Sequence, residues 1–155
     1  MGDRMAVTVF TGSDDRLFGM AILVSGAVAM DVEVELFLQL WSVNAFRKET
    51  VKTKHEFSES DKLAEVVSAR QTELKMLTWF EMLKQAKAFG NLHIYACSNA
   101  CQIWNVGKED LELVDEVMGA GEWILKSLDS KITYFWSIFA TFPFTNLIPI
   151  SMDCL

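Results

Sequence analysis

The chain has few of the residues and motifs that would assign it to the commoner functional classes. It contains only three cysteines, at positions 97, 101 and 154, and their irregular spacing does not make the disulfide framework of a small extracellular domain. Basic residues are outnumbered 14 to 21, which gives a net charge of −7. No basic cluster interrupts this acidity, so a nucleic-acid partner lacks electrostatic support. No G-x-G-x-x-G follows the first apolar run, and neither G-x-x-x-x-G-K-[ST] nor G-x-S-x-G occurs, which argues against dinucleotide binding, ATP binding and a serine-hydrolase elbow. Only two cysteines and one histidine lie close together, short of the roughly four ligands that zinc takes. The N-terminus carries no signal-peptide pattern, and with so few cysteines a reducing cytoplasm is the expected compartment.

What remains is the composition of an ordinary globular domain, 51% apolar and 23% charged over 155 residues, long enough to bury a core without disulfide or metal. Met5-Ala6-Val7-Thr8-Val9-Phe10-Thr11 is β-branched and apolar and ends at Gly12-Ser13-Asp14-Asp15, a strand running into a turn. Asp14 or Asp15 is placed to cap a helix whose Leu17, Met20, Ala21, Val24 and Val28 recur at helical spacing. The run 32–38 alternates and then becomes continuously apolar, as in a parallel strand covered on both faces.

Residues 47–73 are charged and lack a long apolar run, which suits either a solvated loop with a short helix over 62–68 or a cover over a site. A long helix is predicted over 74–89, closed by Gly90. Strands are predicted over 92–96, 114–118 and 131–136, with short helices over 98–104, 108–113 and 122–128. This alternation predicts an open three-layer α/β/α fold on a mainly parallel five-stranded sheet, with residues 1–136 as the domain and 137–155 as an apolar C-terminal tail.

The stretch 132–150 is 19 residues long without a charge, near the length of a membrane span. Pro143, Pro149 and Asn146 argue against a spanning helix, as does the need for its first five residues as a strand. An extended tail packing on the domain or on a neighbouring subunit is the simpler reading, and exposed apolar surface of this kind favours oligomers.

The chemistry converges on HIYACSNAC, residues 93–101. Strand alternation puts His93, Tyr95 and Cys97 on one face. Cys97 then lies just past the carboxyl end of a central strand, where reactive groups gather in open α/β sheets. If a helix begins at Ser98 or Asn99, its free N–H groups and dipole favour the Cys97 thiolate. Cys101 follows four residues later on the same helical face, close enough to share a cargo or close a transient disulfide, or simply to pack. An extended chain puts His93 about 13 Å from Cys97, so His93 fits a strand residue better than a base. Cys154 reads as a bystander.

Three stretches, 9–38, 38–48 with Trp41, and 86–124 with Cys97, stand in the order found in the DsrE/DsrF family of sulfur-relay proteins, which includes the TusBCD type; this sequence resembles that family over residues 5–136. The resemblance implies a DsrE-like fold, a homo-oligomer (trimer or hexamer), and a sulfurtransferase or sulfur carrier whose Cys97 holds persulfide or thiosulfonate sulfur. It also implies TusA-like carriers or rhodanese-type sulfurtransferases as partners. Ser42 stands where the family often has glycine. Cys97 and Cys101 are therefore the candidate site residues, for thiol-exchange chemistry that needs no metal or organic cofactor. The competing expectation is a non-catalytic subunit or adaptor of a redox or membrane-associated complex, with structural cysteines.

Overall fold

The computed structural model describes residues 3–53, 56–58 and 61–137. The apolar tail from residue 138 onward, with Cys154 and both prolines, lies outside the described residues.

Five strands, β1 (Arg4–Val9), β2 (Glu33–Leu38), β3 (Leu92–Cys97), β4 (Glu116–Met118) and β5 (Ile132–Trp136), form one sheet in the order β4-β3-β2-β1-β5. Every pairing is parallel, in registers such as Val7↔Leu36, Leu36↔Ile94 and Cys97↔Met118. Parallel strands need crossovers, supplied here by α1 (Asp14–Ala29), α4 (Trp79–Ala88), α5 (Ser98–Trp104) and α6 (Ala120–Ser127). Two further helices, α2 (Trp41–Ala45) and α3 (Asp61–Glu73), lie between β2 and α4, and a 3-10 turn at Lys108–Asp110 follows α5.

The core follows the expected periodicity closely. Leu17, Met20, Ala21, Val24 and Val28 are the buried residues of α1, and α1 packs beside α4 on one side of the sheet. The other side, carrying Thr8, Phe37 and Tyr95, is covered by α6. Trp123 of α6 stacks on Phe37 at 5.2 Å and 11°, approaches Tyr95 at 6.4 Å, and donates its indole N–H to Thr8 Oγ1 at 2.9 Å. A buried aromatic of this size brings both a large apolar contact and one polar atom that must be partnered. Here the sheet supplies both.

Several boundaries differ from the sequence-based expectation. The cap of α1 is Ser13 rather than Asp14 or Asp15. The carboxylates have other partners: Asp14 accepts from the Trp79 indole at 2.9 Å, and Asp15 accepts from the Ser58 amide at 2.9 Å and from its hydroxyl. The helix expected over 62–68 extends over Asp61–Glu73, and the one expected over 74–89 begins only at Trp79. The reason is a Schellman turn: Met76 N–H reaches Gln71 O and Lys75 N–H reaches Thr72 O, both at 3.0 Å, with Lys75 at φ 51°. Thr78 then caps α4 through a capping box with Glu81, and Gly90 at φ 92° ends it as anticipated. The fourth strand is shorter than 114–118, the helix over 108–113 is only a 3-10 turn, and the helix expected over 122–128 is Ala120–Ser127.

Ser42 also finds its reason. Its buried hydroxyl accepts the Gln39 amide at 2.9 Å and lies 2.6 Å from the Val9 carbonyl, joining the ends of β1 and β2. A glycine there would leave those backbone groups without this bridge.

Candidate functional site

Cys97 is the last residue of β3 and at the same time the cap of α5, at φ −67° and ψ 124°. The helix over 98–104 therefore starts one residue earlier than a Ser98 cap implies and two earlier than an Asn99 cap implies. The cysteine's own backbone makes the strand-to-helix transition. Its neighbour across the ladder, Met118, ends β4, and Gly119 then caps α6. Adjacent parallel strands run about 5 Å apart, so the first turns of α5 and α6 both begin beside position 97. The first backbone N–H groups of each have no partner within their own helix. Cys97 stands where such donors concentrate.

Both thiols are buried, with 8% of Cys97 and 5% of Cys101 exposed, and neither forms a disulfide. Burial pushes the Cys101 thiol above the ordinary cysteine value, and charge on Cys97 pushes it further. Both cysteines of the sequence-predicted pair lie at this strand-to-helix junction, Cys97 as the cap of α5 and Cys101 within it. His93 does not: its Nε2 lies 3.9 Å from Glu33 at the amino end of the sheet. Among the described residues, no group of three or more His, Cys, Asp or Glu side chains is placed to hold a metal ion.

Three features beside the cysteines were not anticipated. Leu40, just past β2, sits at φ 41° and ψ −97°, outside the regions an L-residue favours. Its carbonyl accepts the Trp104 indole N–H at 2.8 Å, and Trp41 meets Trp104 edge-on at 5.8 Å. Gly12, after β1, lies so near that a Cβ there would come within 2.8 Å of the Trp41 carbonyl oxygen. Three strand ends are thereby tied into one tight carboxyl edge. The only hint of this in the sequence is a glycine at the first turn, with Trp41 and Trp104 later in the chain.

The third feature is a buried ion cluster on the sheet face that bears Tyr95 and Cys97. Glu35, only 1% exposed, pairs with Arg4 and with Lys126 Nζ at 2.8 Å, while the Tyr95 hydroxyl lies 3.4 Å from its carboxylate. Lys126 also lies 5.2 Å above the Tyr95 ring, and Arg4 reaches the Lys126 carbonyl oxygen at 3.3 Å. The cluster clamps the last turn of α6 to the sheet, and α6 in turn presents its first turn beside Met118.

A model of the DsrE/DsrF/DrsH-like family matches residues 2–87, a span that ends before β3 and so does not include Cys97. The chain is 25% identical over 140 residues to the uncharacterized protein YrkE of Bacillus subtilis, covering 76% of this chain and 86% of that protein. Two solved structures share the fold. The protein of unknown function MTH1491 from Methanobacterium thermoautotrophicum superposes with a TM-score of 0.56 at 15% identity, over 85% of this chain and 96% of that one. The ychN protein from E. coli gives 0.57 at 16%, over 86% and 98%. At such identities the likeness is one of architecture.

Proposed function

Because the chain belongs to the DsrE/DsrF/DrsH-like family, whose members suggest a place in sulfur relay, we propose that it accepts and passes on sulfane sulfur through Cys97. The observation that carries this reading is the position of Cys97. It ends a central parallel strand, caps one helix and adjoins the cap of a second. The free N–H groups of a helix's first turn stabilise a thiolate, or the terminal anion of a persulfide, held next to them.

The step is a thiol exchange. The Cys97 thiolate attacks the outer sulfur of a donor persulfide, R–S–SH. A new S–S bond forms at Cys97 as the donor's S–S bond breaks, and the donor leaves as a thiol after taking up the proton. No electrons are gained or lost overall. An acceptor thiolate repeats the exchange and regenerates Cys97. Cys101, on the next turn, can receive the sulfur or close a disulfide that releases it.

Intact-mass measurement after incubation with polysulfide tests the proposal. Wild type gains increments of one sulfur that a reductant removes, Cys101→Ser still gains them, and Cys97→Ser does not. Adducts that persist in Cys97→Ser would reject Cys97 as the acceptor.

The burial of both sulfurs favours a second reading, a subunit or adaptor whose cysteines only pack the carboxyl edge. It requires that neither thiol in the folded protein reacts with iodoacetamide, and that oligomer assembly is unchanged in Cys97→Ser. A TusA-like carrier or rhodanese-type partner and a trimeric or hexameric assembly belong to the sulfur-relay reading and stand or fall with it.

A further inference from the structure

Helix α3 carries its aliphatic side chains on the side where the domain is not. None of its residues 62–73 is buried, and only Ala64, Ser68 and Gln71 are half-buried. At about 3.6 residues per turn these three share one face, so the side turned to the domain is small and polar. The large aliphatics lie elsewhere: Leu63, Val66 and Val67, with Leu74 just past the helix, are between 45% and 64% exposed. A helix that packs only on its own domain buries its aliphatic stripe. A stripe left in water at this scale marks a surface that meets another one.

The same face is patterned for itself. Leu63, Val66, Arg70 and Glu73 follow at spacings of three and four residues and form one outward row, with Val67 and Leu74 on one flank and Lys62 and Ala69 on the other. The charges run Lys62, Glu65, Arg70, Glu73, alternating in sign. Reversed, that order is its own complement. An antiparallel copy of the helix sets Lys62 against Glu73 and the Leu63 end against Leu74, whereas a parallel copy sets lysine on lysine and glutamate on glutamate. Glu73 holds Arg70 of its own chain at 2.6 Å through one carboxylate oxygen, which leaves the other for a second cation.

We propose that α3 is a two-fold interface with a second copy of this chain. The helices lie antiparallel, the aliphatics Leu63, Val66, Val67 and Leu74 meet their counterparts, and Lys62 of each chain pairs with Glu73 of the other. An isologous contact repeats every pair twice and closes on itself. It doubles whatever particle the rest of the surface forms. The interface stands whether or not Cys97 carries sulfur, because Cys97 lies on β3 and not on α3.

Sedimentation velocity of the full-length chain across a concentration series tests the interface. Wild type should double in mass as concentration rises, and Val66→Glu, at an exposed position, should abolish the doubling with circular dichroism unchanged. Lys62→Glu and Glu73→Lys should each weaken the association at least about fivefold, since each puts two like-charged pairs where two opposite pairs stood. An equimolar mixture of those two variants should regain that factor, because the two reversed positions then face each other and the two native ones do the same. No doubling in wild type, a mixture no tighter than its components, or a doubling that survives Val66→Glu would each overturn the proposal. The last result would mean that the copies join through another surface, such as the exposed Leu125 and Leu128 of α6.

Discussion

The Trp104 indole N–H donates to the Leu40 carbonyl oxygen at 2.8 Å, and Leu40 is held at φ 41° by the contacts around it. A leucine in this conformation costs on the order of 1–3 kcal/mol and persists only where neighbours over-determine it. Trp104, at the end of α5, is one such neighbour, so the helix that begins at Cys97 also secures the turn after β2.

Trp104→Phe keeps an aromatic ring but removes the donor together with the pyrrole half of the indole. It should lower the unfolding free energy by at least about 1 kcal/mol, the net worth of one hydrogen bond plus the lost ring contact, as read from the denaturant midpoint at unchanged slope. Adding Leu40→Gly should recover part of that loss, because glycine adopts positive φ without the side-chain clash. A double variant no more stable than Trp104→Phe alone would show that Leu40 is not strained.

The Glu35 cluster predicts an alkaline signature. The hydrogen bond to Glu35 is the largest influence holding the Lys126 ammonium above the ordinary lysine value of 10.5, against the opposing effect of burial. A cation whose folded pKa is raised contributes fully below its unfolded pKa and loses that contribution as pH rises through the folded one. The stability advantage of wild type over Lys126→Met should therefore be constant from neutral pH to roughly 9.5 and shrink above 10.5. Glu35→Leu removes the shared carboxylate and leaves Arg4 and Lys126 facing an apolar side chain, a loss of about 3 kcal/mol or more at pH 7.

The two thiols predict a coupled titration. Burial, and then charge on Cys97, hold the Cys101 thiol above its ordinary value of 9.0. Alkylation of Cys101 by iodoacetamide, followed by peptide mapping against pH, should therefore turn on at lower pH in Cys97→Ser than in wild type. An identical profile in both would mean that the sulfurs do not sense each other.

The capping box at the start of α4 is a local test. Thr78→Ala should cost about 1 kcal/mol and Thr78→Ser only a few tenths. The Thr78 amide, and then its hydroxyl, hold the Glu81 carboxyl below the ordinary value of 4.5. This contribution exists above the unfolded pKa and fades as pH falls through the folded one. The gap between Thr78→Ala and wild type, measured by thermal unfolding, should narrow below about pH 4.

Much of the architecture was legible because it rests on short-range periodicity. The five apolar positions of α1 are all buried, the five strands fall close to their expected places, and Cys97 ends β3. Boundaries failed where the backbone entered a conformation that composition does not announce. Lys75 ends α3 in the left-handed region usually left to glycine, and Cys97 takes a capping role for which Ser98 and Asn99 are the better formers. The candidate site was half visible: both cysteines could be named, while their setting could not.

From the sequence alone came the β/α alternation, the acidic balance, and a cysteine pair separated by one helical turn, because hydrophobic spacing of two and 3.6 residues is set by each element's own geometry. Only the tertiary structure decided that Glu35 would meet Lys126, that Leu40 would be bent under Trp104, and that Trp123 would stack on Phe37. These arrangements join residues far apart along the chain. They exist only after the sheet has set strand order and register, and no local pattern encodes that.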